Sequence, residues 1–223
     1  AEGDVIGFPR FPESGCRAYL CVRGGFDVPK VLGSRSTYLE AGFGGLEGRA
    51  LRAGDRLPAG GMEGEPSPPE GRALNPRLIP EHPEQVDLRV IMGPQDFMFA
   101  DESVAYFLEH TWRLSPQANR VGLRYEKEQE MSFKPRPEEE VKNAGGHISS
   151  ILPAGNPTGG IQVPMGQELI VLARDCPTRA GFAKIAIVIT ADMDKVGQLR
   201  PGQATRFRAV EIEEAYAAAE ARE

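Results

Sequence analysis

The sequence predicts a mainly β fold of two β lobes with a few short helices, and three observations predict it. Seven short runs, "CRAYLCVRGG", "DLRVIMG", "GLRYE", "GGIQVP", "ELIVLARD", "KIAIVIT" and "TRFRAVEI", mix β-branched, aliphatic and aromatic residues and are bounded by Gly, Pro, Asn or Asp. Helical periodicity is confined to three stretches. Residues 58–85, "PAGGMEGEPSPPEGRALNPRLIPEHPEQ", carry seven prolines and little apolar period, which reads as a linker between lobes. The expected division is therefore 1–82, an N-terminal β lobe ending in this Pro/Gly-rich linker, and 83–223, a second β lobe.

The first lobe opens with "CRAYLCVRGG" (16–25) as a strand. The stretch "VLGSRSTYLEAGFGG" (31–45) then breaks the pattern. A strand face alternates apolar and polar residues, whereas Ser34, Arg35, Ser36 and Thr37 form an unbroken block of hydrogen-bonding side chains. Gly24-Gly25 and Gly44-Gly45 flank it with backbone that a ligand can approach closely. Arg35 offers a five-donor fork for a carboxylate, phosphate or polarised carbonyl, with Ser34, Ser36 and Thr37 to fix orientation. The competing reading is a tight loop in which the hydroxyls cap backbone groups and Arg35 pairs with Asp27 or Asp55. "GFGGLEGRA" imitates a phosphate loop, yet Arg49-Ala50 stands where Lys-Ser or Lys-Thr is needed and Glu47 interrupts G-x-G-x-x-G, so a Walker-type ATP site is not encoded.

In the second lobe, "DLRVIMG" is a strand, and Asp101 is expected to cap a helix over "ESVAYFLEH" with Val104, Phe107 and Leu108 on one face. "SPQANRVGLRYE" gathers Asn119, Arg120 and Arg124 near Gly122 before its strand. Residues 126–147 alternate acidic and basic residues without a steady apolar face and read as a solvated excursion rather than a lid. The strands "GGIQVP", "ELIVLARD" and "KIAIVIT" bring Gln162, Asp175, Thr178, Arg179 and Lys184 to their ends, where sites and ordinary turns both occur. Lys184 reads as a snorkelling lysine, with a lowered pKa as the alternative. "DMDKVGQL" makes two helical turns before Pro201, "TRFRAVEI" a strand, and "EEAYAAAEARE" a terminal helix.

The totals bound the function. The longest apolar run, "AKIAIVITA", is far short of the roughly 20 residues of a membrane-spanning helix, and no secretion leader is visible. Cys16, Cys21 and Cys176 are an odd set without metal-site spacing, which favours a reducing cytoplasm. His82, His110 and His147 lie far apart, so no metal site is expected. A net charge of −6 argues against nucleic-acid binding. Arginine outnumbers lysine 20 to 6, a bias that carries little weight on its own.

Several blocks in one order, "GCRAYLCVRGGFDVPKVLGSRSTYLEAGFGGLEGRALRAGDRL", "RVIMGPQ", "NRVGLRYE", "GGIQVPMGQ" and "DCPTRAGFAKIAIVITADM", resemble the KipA family, also described as allophanate hydrolase subunit two or the biotin-dependent carboxyltransferase-like family. The likeness runs from about Gly15 through "RPGQATRFRAVEIEEA". It departs at Ala118 and Val121, where the family tends to have Ser and Met. It departs again at Arg179, Ala180 and Phe182, where the family has Thr, Gly and Tyr, while Asp175, Thr178 and Gly181 match.

The resemblance implies a cyclophilin-like β-barrel for 83–223. It also implies an incomplete first lobe, the chain being the C-terminal part of a longer KipI–KipA-type polypeptide. As function it implies a subunit or domain of an ATP-dependent 5-oxoprolinase-type amidohydrolase acting on a small cyclic amide. Such a piece is expected to be inactive without KipI-like and LamB-like partners, with ATP bound together with them. Two alternatives stand beside it. One is the carboxyltransferase domain of a urea-carboxylase-like biotin enzyme, whose carrier must lie elsewhere because no Ala-Met-Lys-Met sequence occurs here. The other is a non-catalytic KipA-type regulator that binds a KipI-like inhibitor of a histidine kinase. For the amide chemistry Arg35 and Arg120 are expected at the carbonyl or anionic oxygen and Asp175 on the nitrogen side. Asp27, Ser34, Ser36, Thr37, Asn119, Gln162, Thr178 and Lys184 are expected to bind substrate.

Overall fold

The computed structural model describes residues 5, 7, 15–61, 71, 73–75 and 79–222. They fall into two compact units, one holding the described residues of 1–17 and 80–223 and the other those of 18–79. Much of the proline-rich stretch read as a linker lies outside the described residues.

The larger unit contains, in order, β1 (Gln85–Met92), α1 (Asp101–Glu109), β2 (Trp112–Arg113), β3 (Gly122–Tyr125), α2 (Glu138–Asn143), β4 (Ser150–Gly155), β5 (Gly160–Gln162), β6 (Leu169–Leu172), β7 (Arg179–Phe182), β8 (Lys184–Val188), α3 (Met193–Gln198), β9 (Ala204–Ala209) and α4 (Ile212–Glu220). Seven strands make one sheet in the order β2-β9-β1-β8-β5-β6-β3, and β4 with β7 makes a separate ribbon. β1 runs parallel to β9, from Gln85 opposite Ala204 to Val90 opposite Ala209. The other pairings in the seven-stranded sheet are antiparallel.

The two ends of the sheet meet. Leu114 bridges Tyr125, the Ser115 N–H donates to the Arg124 carbonyl at 2.8 Å, and the Glu126 N–H donates to the Arg113 carbonyl at 2.8 Å. These bonds use backbone groups that an open sheet would leave unpaired at its edges, so the sheet curls into a nearly closed barrel. The alternation in β1 supplies one wall of the interior, with Val86, Leu88 and Val90 buried and Gln85, Asp87 and Arg89 turned outward or partly so.

Aromatic side chains fill the barrel beneath α1. Phe107 of α1 stacks on Phe207 of β9 with ring centroids 4.8 Å apart, and Tyr125 meets Phe207 edge-on at 5.7 Å. The Trp112 indole donates to the Phe107 carbonyl at 3.0 Å, and the Tyr125 hydroxyl reaches Thr205 Oγ1 at 3.3 Å, so the polar tips of these buried rings are satisfied. Val104 and Leu108 pack against the same core, as their spacing predicts. Asp101 is not the cap: Ala100 holds that position, and Asp101 begins the first turn with its carboxylate 2.7 Å from Lys134 Nζ. The Ala100 N–H instead donates to the Ser132 carbonyl, so a neighbouring segment organises this helix start.

That segment belongs to 126–147, which is only partly the solvated excursion expected. Met131 is buried in the core, and Phe133 bridges Phe99 with ring centroids 4.7 Å apart. α2, farther along, buries none of its residues. Two apolar side chains two residues apart anchor the segment, and the surrounding charges conceal them in the sequence.

The strand expected over 16–25 does not form. The Gln198 side-chain amide captures its first residues: Oε1 accepts from the N–H groups of Cys16 and Arg17 at 2.9 Å each, and Nε2 donates to the Arg17 carbonyl at 3.0 Å. A turn at Arg23-Gly24 ends the stretch. Among the described residues of 18–61, β pairing is limited to the isolated bridges Phe26–Ala59, Val31–Ser34 and Tyr38–Phe43.

Asp192 fastens β1 to the turn before α3. Its carboxylate accepts from the Arg89 backbone N–H at 2.8 Å, from Arg89 Nε at 3.0 Å and Nη2 at 2.7 Å, and lies 3.0 Å from Lys195 Nζ. Burial pushes this carboxyl's pKa up, but the Arg89 bonds and Lys195 outweigh it and leave it below the ordinary value. Among the described residues no helix is long and apolar enough to cross a membrane.

Replacing Phe207 by Ala removes the ring that both Phe107 and Tyr125 pack against. It is expected to cost about 3–5 kcal/mol of unfolding free energy in urea titrations, while Phe207→Leu costs less.

Candidate functional site

The polar loops at one end of the barrel contain Asn119, Arg120, Asp175 and Thr178 of the second-lobe residues singled out in the sequence, while Arg124, Gln162, Arg179 and Lys184 lie in strands. Asn119 builds the turn into β3: its Oδ1 accepts from the N–H groups of Val121 at 2.9 Å and Gly122 at 3.1 Å. The next residue, Arg120, reaches the loop after β6 and grips Asp175 with two guanidinium nitrogens, Nε to Oδ2 at 2.9 Å and Nη2 to Oδ1 at 3.1 Å. The Asp175 N–H closes the contact on the Arg120 carbonyl at 2.9 Å. Arg120 remains 60% exposed in its side chain and Asp175 24%, so the pair faces solvent while its geometry is fixed from both loops.

A second polar chain runs from the sheet into the same loops. Gln162 in β5 is buried, and its Nε2 donates to Asn156 Oδ1 at 3.1 Å. Asn156 Nδ2 donates to the Pro177 carbonyl at 3.0 Å, and its backbone N–H donates to the Thr178 carbonyl at 2.9 Å. Sequence reasoning misses Asn156. Its signal is a place in "GNPTGG", where a side-chain amide between glycine-bearing turns can join two loops. Opposite Gln162 in the β5–β8 pairing stands Lys184, which does not snorkel: its side chain is buried and, among the described residues, its Nζ has no hydrogen-bond partner. Burial lowers its pKa from the usual lysine value.

Three other polar groups resolve as structural. Arg124 pairs with Glu168, and Arg179 donates to the Pro153 carbonyl at 3.3 Å. His147 Nδ1 lies 2.7 Å from Ser149 Oγ, but Ser149 is fully buried and its hydroxyl accepts the Met165 N–H at 3.1 Å, so this Ser–His contact holds a turn. Among the described residues no cluster of His, Cys, Asp or Glu is arranged to hold a metal ion, and the cysteines are free.

In the unit of 18–79 the Ser-Arg-Ser-Thr block is held from several directions. Val31 and Ser34 exchange backbone bonds at 2.8 and 3.0 Å around Leu32-Gly33, a two-residue turn with φ of 51° and 81°. Ser34 Oγ then accepts the Ser36 N–H at 3.0 Å. Arg35 donates from Nε to the Val28 carbonyl at 3.0 Å and from Nη2 to Asp27 at 3.3 Å. Arg35 thus meets Asp27, one of its two anticipated partners, and stays 45% exposed. The other, Asp55, is taken by Arg49 through two bonds of 2.8 and 2.9 Å. Those bonds, first of all, together with the Arg52 N–H, hold the Asp55 carboxyl down to about 2.

The glycine row explains the block. A Cβ on Gly44 would lie 2.2 Å from the Ser36 carbonyl oxygen, one on Gly45 1.9 Å from Thr37 Oγ1, and one on Gly48 2.1 Å from the Gly42 carbonyl oxygen. The glycines let chain pack on chain, and with Arg49 committed to Asp55 and Glu47 the loop is filled by its own atoms. It does not fit an ATP phosphate cradle.

A family model described as the carboxyltransferase domain, subdomain A and B, matches residues 1–209. A 5-oxoprolinase subunit of Escherichia coli (strain K12) is 37% identical over 207 residues, covering 93% of this chain and 60% of that protein. Urea amidolyase of Lachancea kluyveri is 35% identical over 206 residues, covering 86% of this chain and 11% of that protein. The crystal structure of Kluyveromyces lactis urea carboxylase matches with a TM-score of 0.81 at 31% identity, covering 94% of this chain and 19% of that one. The chain therefore spans three fifths of the oxoprolinase protein and a small part of the urea enzymes.

Substituting Gly45 by Ala forces a Cβ onto Thr37 at a residue with φ of 55°. The variant is expected to lose about 1 kcal/mol or more of local stability, read as faster amide exchange across residues 34–48.

Proposed function

This chain belongs to the carboxyltransferase family of subdomain A and B architecture, and we propose that it serves as a piece of an ATP-dependent 5-oxoprolinase-type amidohydrolase acting on a small cyclic amide. The observation that supports this reading is the 37% identity to a 5-oxoprolinase protein over 93% of the chain. A lactam resists attack because resonance spreads its nitrogen lone pair onto the carbonyl. Ring opening therefore needs positive charge at the oxygen and a proton-handling group at the nitrogen.

In this reading Arg120 acts at the carbonyl or anionic oxygen, and Asp175 acts at the amide nitrogen. Asn119, Gln162 and Thr178 orient the substrate. Arg120 and Asp175 grip each other in the unliganded geometry. An amide, with an acceptor oxygen and a donor N–H side by side, is complementary to both partners and can exchange with that pair bond for bond. KipI-like and LamB-like proteins complete the assembly, and ATP is assigned to them because the Gly44–Gly48 loop is self-filled.

The TM-score of 0.81 to a urea carboxylase favours a second reading, carboxyl transfer to urea or a related amide from a carrier on another chain or domain. The two separate by product in an assembly reconstituted from the full-length protein and its partners. The first predicts glutamate from 5-oxoproline and ATP without biotin, the second a carboxylated product only with carboxybiotin.

Arg120→Ala and Asp175→Asn should each lower glutamate formation about 100-fold or more. Their unfolding midpoints should stay close to wild type, because a solvent-facing pair contributes only about 0–1 kcal/mol. Wild-type turnover in both variants contradicts the assignment.

A further inference from the structure

Lys184 is a buried amine that neither the core nor the polar loops account for. It is 2% exposed, and its Nζ, wholly covered, finds no hydrogen-bond partner among the described residues. Its aliphatic stem lies along β5: a Cβ placed on Gly160 would sit 3.5 Å from Lys184 Cδ and 3.4 Å from Leu172 Cδ1. That spacing is ordinary van der Waals contact, so the lysine stem packs against β5 at Gly160. Gln162, directly across the strand pair, leads by its amide to Asn156 and on to the 177–178 loop. Buried cations are ordinarily paired, and an uncompensated amine at this depth is selected against unless something uses it.

We propose that Lys184 is a substrate-contact residue whose Nζ receives a carboxylate of a small anionic ligand, with Gln162 beside it on the same face of the sheet. This rests on the oxoprolinase-type reading and sharpens it, because 5-oxoproline carries a carboxylate next to its lactam and urea carries none. Burial lowers the Lys184 pKa and so favours the neutral amine, and an anion placed beside it would restore the charge. Access to Nζ requires its cover to shift. β7 runs into Lys184 through Ala183, and its pairing with β4 is interrupted by a register shift between Ser150 and Ala154.

The test uses Lys184→Met in the full-length protein assembled with its partners, with calorimetric titration of 5-oxoproline, of 2-pyrrolidinone as the same ring without the carboxylate, and of bicarbonate. Methionine keeps most of the stem and removes the amine, so its thermal midpoint should equal or exceed that of wild type. The expected result is tenfold or greater weakening of 5-oxoproline with unchanged 2-pyrrolidinone affinity. Equal 5-oxoproline affinity in wild type and variant overturns the role of Lys184 and leaves the oxoprolinase reading standing. Bicarbonate binding that depends on Lys184, with neither lactam bound, keeps the anion site and overturns that reading, assigning the anion to a carboxyl group in transfer. No binding of any carboxylate, or a large fall in the thermal midpoint of the variant, overturns the proposal.

Discussion

The antiparallel pairing of β3 with β6 and of β6 with β5, within a sheet that nearly closes, is the constraint on which the candidate site depends. β2 and β3 stand at opposite ends of the strand order, and the Leu114–Tyr125 bridge with its two flanking backbone bonds joins them. β5, β6 and β3 are consecutive antiparallel neighbours, so the loops before β3, between β4 and β5, and after β6 gather at one end of the sheet. The backbone bonds from Ala173 to Val121 and from Asp175 to Arg120 continue the β3–β6 ladder past its last paired residues. The ion pair of Arg120 and Asp175 is then the side-chain extension of a hydrogen-bonded ladder, which is why two loop residues can hold a defined geometry while facing solvent.

Stability for that arrangement comes from the core. Phe107, Phe207, Tyr125 and Trp112 fill the barrel, with the indole and phenol tips bonded to Phe107 and Thr205, and Met131 of the 126–147 segment joins the same core. The polar chain Gln162–Asn156–Pro177 runs from the sheet into the loops, with Lys184 paired opposite Gln162. Lys184, in β8 of the same sheet, is left buried without a hydrogen-bond partner among the described residues.

The second lobe is legible because its strands are long enough to show their period: β1, β8 and β9 lie where alternating or continuous apolar runs place them. The stretch at 16–25 has the same composition but no strand: its first two residues bond one glutamine side chain 182 residues away, which no local pattern encodes, and a turn at Arg23-Gly24 ends it. Arg120 and Asp175 are recognisable as site chemistry, yet their mutual grip is not, since it depends on the register of β3 against β6. Lys184 reads as snorkelling because its burial depends on neighbouring strands, its stem passing Gly160 of β5. In the 18–79 unit the choice between Arg35 partners falls to Asp27 because Asp55 is already claimed by Arg49, a competition set by turn geometry.

The central claim is that a small amide is held where the loops before β3, before β5 and after β6 meet. Amide hydrogen exchange, measured by mass spectrometry on the full-length protein in its partner assembly with and without saturating 5-oxoproline, tests it most directly. Slower exchange confined to 119–122, 156–162 and 173–184 is the predicted result. Protection at other surfaces with these segments unchanged contradicts it.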